Sequence, residues 1–322
     1  MSEAIQIPLD PADEPLGHDR LVLLANSSMR ARRRPLAISL MWAWDVAFGI
    51  LIAWPFSSVA RAAYGHDPQG DARLWTPGGL ELMDLLVHTD HARPALLTHA
   101  GLLLAVAAVL GILPMAAMVA SIAYTTPDLR SPPLRKVLGR AADAFRPLLG
   151  LAVLLTLIEG GIAIGGLLLA GGISSSLASR LGDARAQQIG WMAAAVFLGL
   201  ACVAGVVHDL ARVAVIRFRV GGMRALRLAF NSVRRRPIAT VWSWTWRSSA
   251  ACVPIVIGAV VASKLGGRGG GALLALAAIH QLVVLTRTAL RASWLAKALR
   301  LVDRAHRVLK VTPPHAPAAT VD

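Results

Sequence analysis

Residues 33–45 read RRPLAISLMWAWD, and residues 235–247 read RRPIATVWSWTWR. Both stretches begin with two arginines and a proline, continue into an apolar run and contain a Trp-x-Trp motif. Basic residues followed by about twenty apolar residues are typical of the cytoplasmic end of a membrane-spanning helix. Indole rings favour the membrane–water interface, so the tryptophans indicate anchors near the start of each span. Both stretches therefore predict a chain that crosses a lipid bilayer.

The composition leaves two classes of protein open. The 322 residues are 56% hydrophobic and only 16% charged, with a net charge of +15 and a mean hydropathy of +0.58. An apolar chain with a basic surplus is either a nucleic-acid binder or a membrane protein with basic loops. If the N-terminus is inside, 26 of the 33 Lys and Arg residues fall on the inner side and seven on the outer side. This distribution follows the positive-inside rule and argues against a nucleic-acid partner.

Six apolar runs are long enough to span a membrane, which predicts an all-α, polytopic membrane protein. The first run begins too late in the chain for a cleaved signal peptide, so we expect both termini to be cytoplasmic at a bacterial inner membrane. The expected organisation is a membrane domain at 20–310 between disordered tails at 1–19 and 311–322. The six predicted spans are 36–60, 94–124, 148–178, 189–217, 238–263 and 272–296.

Three basic amphipathic stretches precede alternate spans. They read DRLVLLANSSMRARRRP at 19–35, LRKVLGRAADAFRP at 134–147 and MRALRLAFNSVRRRP at 223–237. Each ends in Arg-Pro, and a proline there can end a surface helix and begin the next helix. The pattern predicts three parallel-repeat helical hairpins, each preceded by an interfacial helix.

The two opening stretches differ sharply at their last position, where Asp45 corresponds to Arg247. Each residue lies ten positions after its proline, which places the two at similar depth. Ionisable groups at membrane depth are costly and are candidates for function. One hypothesis is that Asp45 and Arg247 form a buried ion pair. The alternative is that the fifth span begins later and leaves Arg247 at the surface.

Glu159 and His280 are predicted near the middle of the membrane. A pair between them could relay protons or ligate an ion, but an interhelical hydrogen bond without such a role is the favoured interpretation. Gly161 and Gly165, which follow Glu159, have the spacing that allows two helices to approach closely.

A second set of polar residues is predicted at the inner membrane interface. His208, Asp209 and Arg212 share one side of the fourth span, and Arg287 and Arg291 lie at a similar level in the sixth. A bond from Asp209 to Arg287 or Arg291 would connect two hairpins. The alternative is that these residues dock a lipid headgroup or a protein partner.

No motif in the sequence predicts catalysis, a cofactor or a metal ion. His88, Asp90, His91 and His99 are close in sequence, but nothing else supplies the fixed set of about four ligands that structural zinc needs. They are interpreted as solvated loop residues. Nucleophile–base arrangements and metalloprotease signatures are also missing, so we expect a protein that is not an enzyme.

The residues at 209–212, Asp-Leu-Ala-Arg, precede the amphipathic stretch ALRLAFNSVRRRP at 225–237 and then a membrane span. This pattern resembles bacterial six-span membrane proteins, including the membrane domain fused to some glycerophosphodiester phosphodiesterases. The resemblance implies a membrane module but not hydrolysis, because the soluble phosphodiesterase barrel and its catalytic residues are missing. We expect an integral membrane scaffold or accessory module that docks a partner or anionic lipid through its basic cytoplasmic face. The alternative is a permease-like transport component with an intramembrane polar site.

Overall fold

A computed structural model describes residues 31–64, 66, 87, 93–124, 132–265 and 271–311. The regular structure in these ranges is helical throughout. The predicted tail at 1–19 lies outside the described residues, and so do His88, Asp90, His91 and all of the predicted tail at 311–322 except Val311.

A short 3-10 helix, Ala31–Arg33, leads into eight α-helices within the described ranges. They are α1 (Pro35–Tyr64), α2 (Arg93–Leu110), α3 (Ile112–Ala123), α4 (Leu134–Leu181), α5 (Asp183–Phe218), α6 (Gly222–Arg235), α7 (Pro237–Leu265) and α8 (Gly271–Val311).

Six helical segments are long and apolar enough to cross a membrane, which confirms the predicted all-α, multi-pass architecture. They are Pro35–Ala63, Arg93–Ala123, Leu134–Leu181, Asp183–Phe218, Pro237–Leu265 and Leu274–His306. Only 6% to 33% of their most apolar windows is buried inside the protein, so most of the apolar side chains face outward. A surface of this kind requires hydrocarbon around it.

Proline begins two of the spans, as the sequence predicts, but does not divide the third. Pro35 and Pro237 are the first residues of α1 and α7, whereas Pro147 lies inside α4. An interior proline removes one helical hydrogen bond at a cost of about 3 kcal/mol or more. Here one continuous buried stripe crosses the proline and offsets that loss; it comprises Val137, Ala141, Ala144, Leu148, Leu151 and Leu155. The second amphipathic stretch is therefore the first part of α4, while the third forms a separate helix, α6.

The second span is interrupted at Gly111, between α2 and α3. Pro114 explains the break, because its ring nitrogen has no hydrogen to donate and proline is tolerated in the first turn of a new helix. The two halves have different surroundings. None of the residues of α2 is buried, whereas ten of the 12 residues of α3 are.

The main hydrophobic core lies at one end of the bundle. Its buried residues come from α3, the first part of α4, the last part of α5, α6 and the last part of α8. We call this the basic end, and it carries Arg34, Lys136, Arg219, Arg235 and Arg304. The opposite, distal end is marked by Arg61, Arg93, Arg180 and Lys264.

The distal half is held by close contacts at small residues. A Cβ atom on Gly166 would overlap Cβ of Phe197, which shows how closely α4 and α5 approach there. Gly258 brings α7 against Val283 of α8 in a similar way. Gly161 and Gly165 have no neighbouring atom within 4 Å of such a Cβ, so the prediction that they form the close contact is wrong.

Consecutive spans pack on each other, with α1 on α2, α4 on α5 and α7 on α8. A parallel repeat of three hairpins stays a prediction; α4, with 48 residues, is longer than α1 (30) and α7 (29) in part because it includes the second amphipathic stretch.

Candidate functional site

The carboxyl end of α3 is held by two arginines from other parts of the chain. Arg34 Nη2 donates to the Tyr124 carbonyl oxygen (3.0 Å), and Arg217 Nη1 donates to the Ala123 carbonyl oxygen (3.2 Å). The last carbonyl groups of a helix have no intrahelical partner and carry partial negative charge, so cations stabilise them. Burial, followed by the positive charge of Arg33, lowers the pKa of Arg34 from its usual value.

Arg217 also joins this end of α3 to α8. Its Nε atom donates to Oδ1 of the buried Asp303 at 3.1 Å. We call Arg34, Arg217 and Asp303 the α3 clasp. The clasp connects the residue before α1, the last turns of α3 and α5, and the final turns of α8, which fixes the geometry of the basic end.

Glu159 is paired, but with a different histidine from the one predicted. Its Oε1 lies 2.8 Å from His208 Nδ1 on α5. His280 is exposed on α8, and its Nδ1 bonds the Leu276 carbonyl oxygen of its own helix at 3.0 Å. The Glu159–His280 pair is therefore wrong, because α4 packs mainly along α5 and presents Glu159 to that helix.

Asp45 and Arg247 do not pair, because each bonds to α8 or to its own helix. Asp45 Oδ2 accepts a hydrogen bond from Thr288 Oγ1 on α8 at 3.1 Å. Arg247 Nη1 donates to the carbonyl oxygen of Ser243 (2.7 Å) and to its Oγ (2.6 Å), and Arg247 Nε donates to Ser293 Oγ on α8 (3.3 Å). Helix α8 contacts both α1 and α7, so it supplies partners to both charged residues.

Asp209 connects α5 to α8, as predicted, but through a different donor. Trp294 Nε1 donates to Asp209 Oδ2 at 2.9 Å, while Arg212 Nη1 donates to Asp209 Oδ1 at 3.5 Å. Arg287 and Arg291, the predicted donors, are exposed on α8. The tie between the helices therefore uses an indole, which costs less to bury than a guanidinium.

Four of the predicted residues come together on α4 and α5: Glu159, His208, Asp209 and Arg212. Arg212 acts as a countercharge to Glu159 and forms an ion pair with Asp209. His208 is buried, and its Nε2 atom has no hydrogen-bond partner in the part of the chain that the structure describes. Among those same residues, no group of three His, Cys, Asp or Glu side chains could hold a metal ion.

The surface of the basic end is formed in part by α6. Ala225, Ala229 and Ser232 are buried against the bundle. The outward face combines four arginines with two large apolar side chains; it comprises Arg224, Arg227, Arg234, Arg235, Met223 and Phe230. We call these six residues the α6 face.

A cavity of about 360 Å³ opens at the same end, between the end of α3, the start of α4 and the end of α5. Its polar lining consists of Tyr124, Lys136, Arg140, Asp143 and Arg219. We call it the basic cleft, because three of these five side chains are cationic and one is acidic.

Sequence reasoning did not single out several of the residues that make these contacts. Thr288, Ser293 and Trp294 are ordinary residues in an apolar helix, and only the packing of α8 gives them partners. Asp303 could have been predicted to form an ion pair, because it is the only acidic residue in α8 and is surrounded by arginines and lysines. A single acid in a basic segment has a strong electrostatic preference for pairing.

Comparisons with family models, with curated proteins and with solved structures returned no match to this chain. Its function is therefore argued from the geometry of the basic end and of the polar residues inside the bundle.

Proposed function

We propose that this protein is an integral membrane module of a bacterial inner membrane, with no catalytic activity of its own. In this proposal the basic end and both termini lie at the cytoplasmic face. The module docks onto anionic lipid headgroups there and so presents a fixed platform for other proteins.

The observation that carries the proposal is the α6 face. A helix whose inner side packs on a membrane bundle has its outer side at the level of the headgroups. Arg224 and Arg227 can then extend their charged ends to phosphate, while Met223 and Phe230 enter the acyl region. This combination of side chains suits an anionic lipid surface better than it suits water, since water gives no favourable environment to exposed Phe and Met.

Electrostatic attraction also favours docking through the α6 face. A cytoplasmic leaflet attracts each nearby Lys or Arg by about 1 kcal/mol, and the attraction falls off within a Debye length of roughly 8 Å at physiological ionic strength. In this proposal α6 lies along the membrane surface, so all four arginines of the α6 face fall inside this range of a headgroup layer.

The proposal is tested by reconstituting the full chain in nanodiscs of neutral lipid and of neutral lipid mixed with phosphatidylglycerol. The nine tryptophans report unfolding by fluorescence. We expect the anionic lipid to raise the free energy of unfolding, and the double variant Arg224→Gln/Arg227→Gln to lose about 2 kcal/mol of that gain.

The matched control is Arg61→Gln/Arg180→Gln, which removes two exposed arginines from the distal end. It should respond to anionic lipid as the wild type does. Equal stability of the wild type in both lipid mixtures would refute the docking proposal, and so would equal losses for the two double variants.

The proposed orientation is tested by labelling introduced cysteines from one side of the membrane. Cysteines introduced at Gly139 and Arg236, both exposed at the basic end, should react with a membrane-impermeant maleimide from the cytoplasmic side. Labelling of the two positions from opposite sides of the membrane would overturn the orientation.

A second candidate function is that of a permease-like transport component. The observation that favours it is the buried Nε2 atom of His208 beside Glu159, since a polar atom without a partner inside a membrane protein is costly unless something binds it. This candidate predicts proton or ion flux in proteoliposomes that Glu159→Gln abolishes. Absence of flux for the wild type would reject it.

A further inference from the structure

We propose that the basic cleft binds the phosphate group of one anionic phospholipid, at a defined site separate from the α6 face. This inference deepens the proposed function and rests on it, because both surfaces take the same class of lipid. The cleft differs from the α6 face in being a concave site lined by three elements, the last turn of α3, the first turns of α4 and the end of α5.

The first argument is that the cations of the cleft have no partners of their own. Lys136, Arg140 and Arg219 make no hydrogen bond or ion pair with other side chains or carbonyl groups in the described ranges. Arg140 is half-buried, and the positive charges of Arg219 and Arg217 act on it, although Arg217 is itself paired with Asp303. A partly desolvated guanidinium that shares a cleft with the unpaired cations Lys136 and Arg219 is unfavourable until an anion neutralises it.

The second argument is the arrangement of donors on α4. Lys136 and Arg140 are four residues apart and therefore lie on one side of the helix, with Gly139 beside them. A Cβ atom at Gly139 would meet no atom within 4 Å, so the surface between the two cations is open. Asp143 is the one acidic group in the lining, and it is exposed. The cleft therefore retains a net positive charge of two.

The third argument is the backbone at Arg219. Its φ of 51° and ψ of 40° lie in the left-handed region, which glycine or asparagine normally occupies at the end of a helix. An arginine there costs about 1 kcal/mol or more in backbone strain. Two glycines, Gly221 and Gly222, come just after Val220, yet the left-handed position carries a long cationic side chain that lines the cleft.

Size and location identify the ligand class. A volume of about 360 Å³ falls in the lower part of the range of roughly 300–1,000 Å³ for small-molecule sites. Arginine and lysine bind phosphate through charge-assisted hydrogen bonds. The cleft opens where the first turns of α4 meet the ends of α3 and α5, at the basic end, and phospholipid headgroups are the most concentrated phosphate at that level of a bilayer.

The test is lipid retention by the purified full chain in mild detergent, counted by native mass spectrometry during titration with phosphatidylglycerol or phosphatidylcholine. We expect the wild type to retain one phosphatidylglycerol more tightly than any phosphatidylcholine. Arg140→Gln should weaken this retention about tenfold, as the loss of one charge-assisted interaction predicts. Arg227→Gln removes the same charge from the α6 face and should leave retention within about twofold of the wild type.

Arg219→Gly separates ligand binding from folding. Glycine removes the cation and relieves the backbone strain, so lipid retention should fall while the unfolding midpoint in neutral lipid does not. If lipid retention and the unfolding midpoint both fell, Arg219 would act in folding alone and would not belong to the site.

Other outcomes overturn the site in distinguishable ways. Equal losses for Arg140→Gln and Arg227→Gln would mean general charge attraction, which rejects the site and leaves the proposed function standing. Wild-type behaviour in both variants would also reject the site. No preference of the wild type for phosphatidylglycerol would reject the site and the proposed function together. If inorganic phosphate stabilises the wild type as strongly as the lipid and displaces it, the ligand is a soluble phosphate and the lipid assignment is wrong.

Discussion

The two halves of this bundle are held together by different physical means. At the basic end, α3 is almost wholly buried, and polar bonds such as Arg217–Asp303 and Trp294–Asp209 join separate helices. In the distal half, pairs of helices touch at small residues such as Gly166, and most apolar side chains face outward. The basic half resembles the interior of a soluble protein, while the distal half depends on lipid to cover its surface.

This difference follows from the solvent that each half has around it. Apolar side chains gain no hydrophobic free energy by moving from hydrocarbon into the protein interior. The distal helices therefore associate through close van der Waals contact. Near the headgroups, water competes for polar groups, and a buried core with satisfied polar bonds becomes favourable. We therefore expect a single substitution to lower the free energy of unfolding more at the basic end than at the distal end.

The largest expected effect is at the α3 clasp. Arg217→Met leaves the buried Asp303 without its countercharge and the Ala123 carbonyl oxygen without its donor. Breaking one side of a buried pair costs about 3–5 kcal/mol. Unfolding in a detergent titration, followed by tryptophan fluorescence, measures the change.

Two variants make this test specific. Arg61→Met removes an exposed arginine at the distal end and should change the free energy of unfolding by about 0.5 kcal/mol or less. Asp303→Leu in the Arg217→Met background should recover part of the loss, because it removes the orphaned charge. A failure of that rescue would mean that the clasp stabilises through its carbonyl bonds and not through the ion pair.

An intermediate effect is expected at the contact between α4 and α5 in the distal half. Gly166→Ala places a Cβ atom into Phe197, which should destabilise the protein by about 1–3 kcal/mol. Gly165→Ala is the matched control, since the same atom there meets open space and alanine favours a helix by about 0.5–1 kcal/mol. If both alanines gave the same sign of change, the close approach of the two helices would be incorrect.

The smallest expected effect is the coupling energy between Asp45 and Arg247, which should be near zero. Each has its own partners on or near α8, so the free-energy changes of Asp45→Ala and Arg247→Ala should add to within about 0.3–0.5 kcal/mol. A double-mutant cycle measures this, with Arg217 and Asp303 as the coupled reference pair. A coupling above about 1 kcal/mol would restore the ion pair that the sequence suggested.

The sequence was sufficient for the number of spans and for the helix starts at Pro35 and Pro237, because length, hydropathy and proline chemistry are local properties. It failed at Pro147, where a buried stripe formed with other helices outweighs the local preference for a break. It also failed for Glu159, since depth in the membrane restricts which residues can meet but does not identify the neighbouring helix. His208 lies level with Trp294, the partner of its neighbour Asp209, whereas His280 comes 14 residues before Trp294 in α8, so the sequence also placed Glu159 at the wrong depth.

The sequence also could not identify every partner of the polar residues predicted at the inner interface. Helical spacing grouped His208, Asp209 and Arg212 correctly on one side of α5, but not the indole of Trp294 that completes the link to α8. The basic cleft was beyond sequence reasoning, because its cations come from the first turns of α4 and from the end of α5, which are far apart in the chain. The resemblance to the membrane domain of glycerophosphodiester phosphodiesterases stays a prediction.

The break at Gly111 has a consequence for motion. It joins a helix with no buried residue, α2, to one that is fixed in the core, α3. A segment with so little packing has a low free-energy cost of displacement. Helix α2 is thus the half of the second span with the lower cost of displacement, and it meets the core half at Gly111, beside the indole of Trp44.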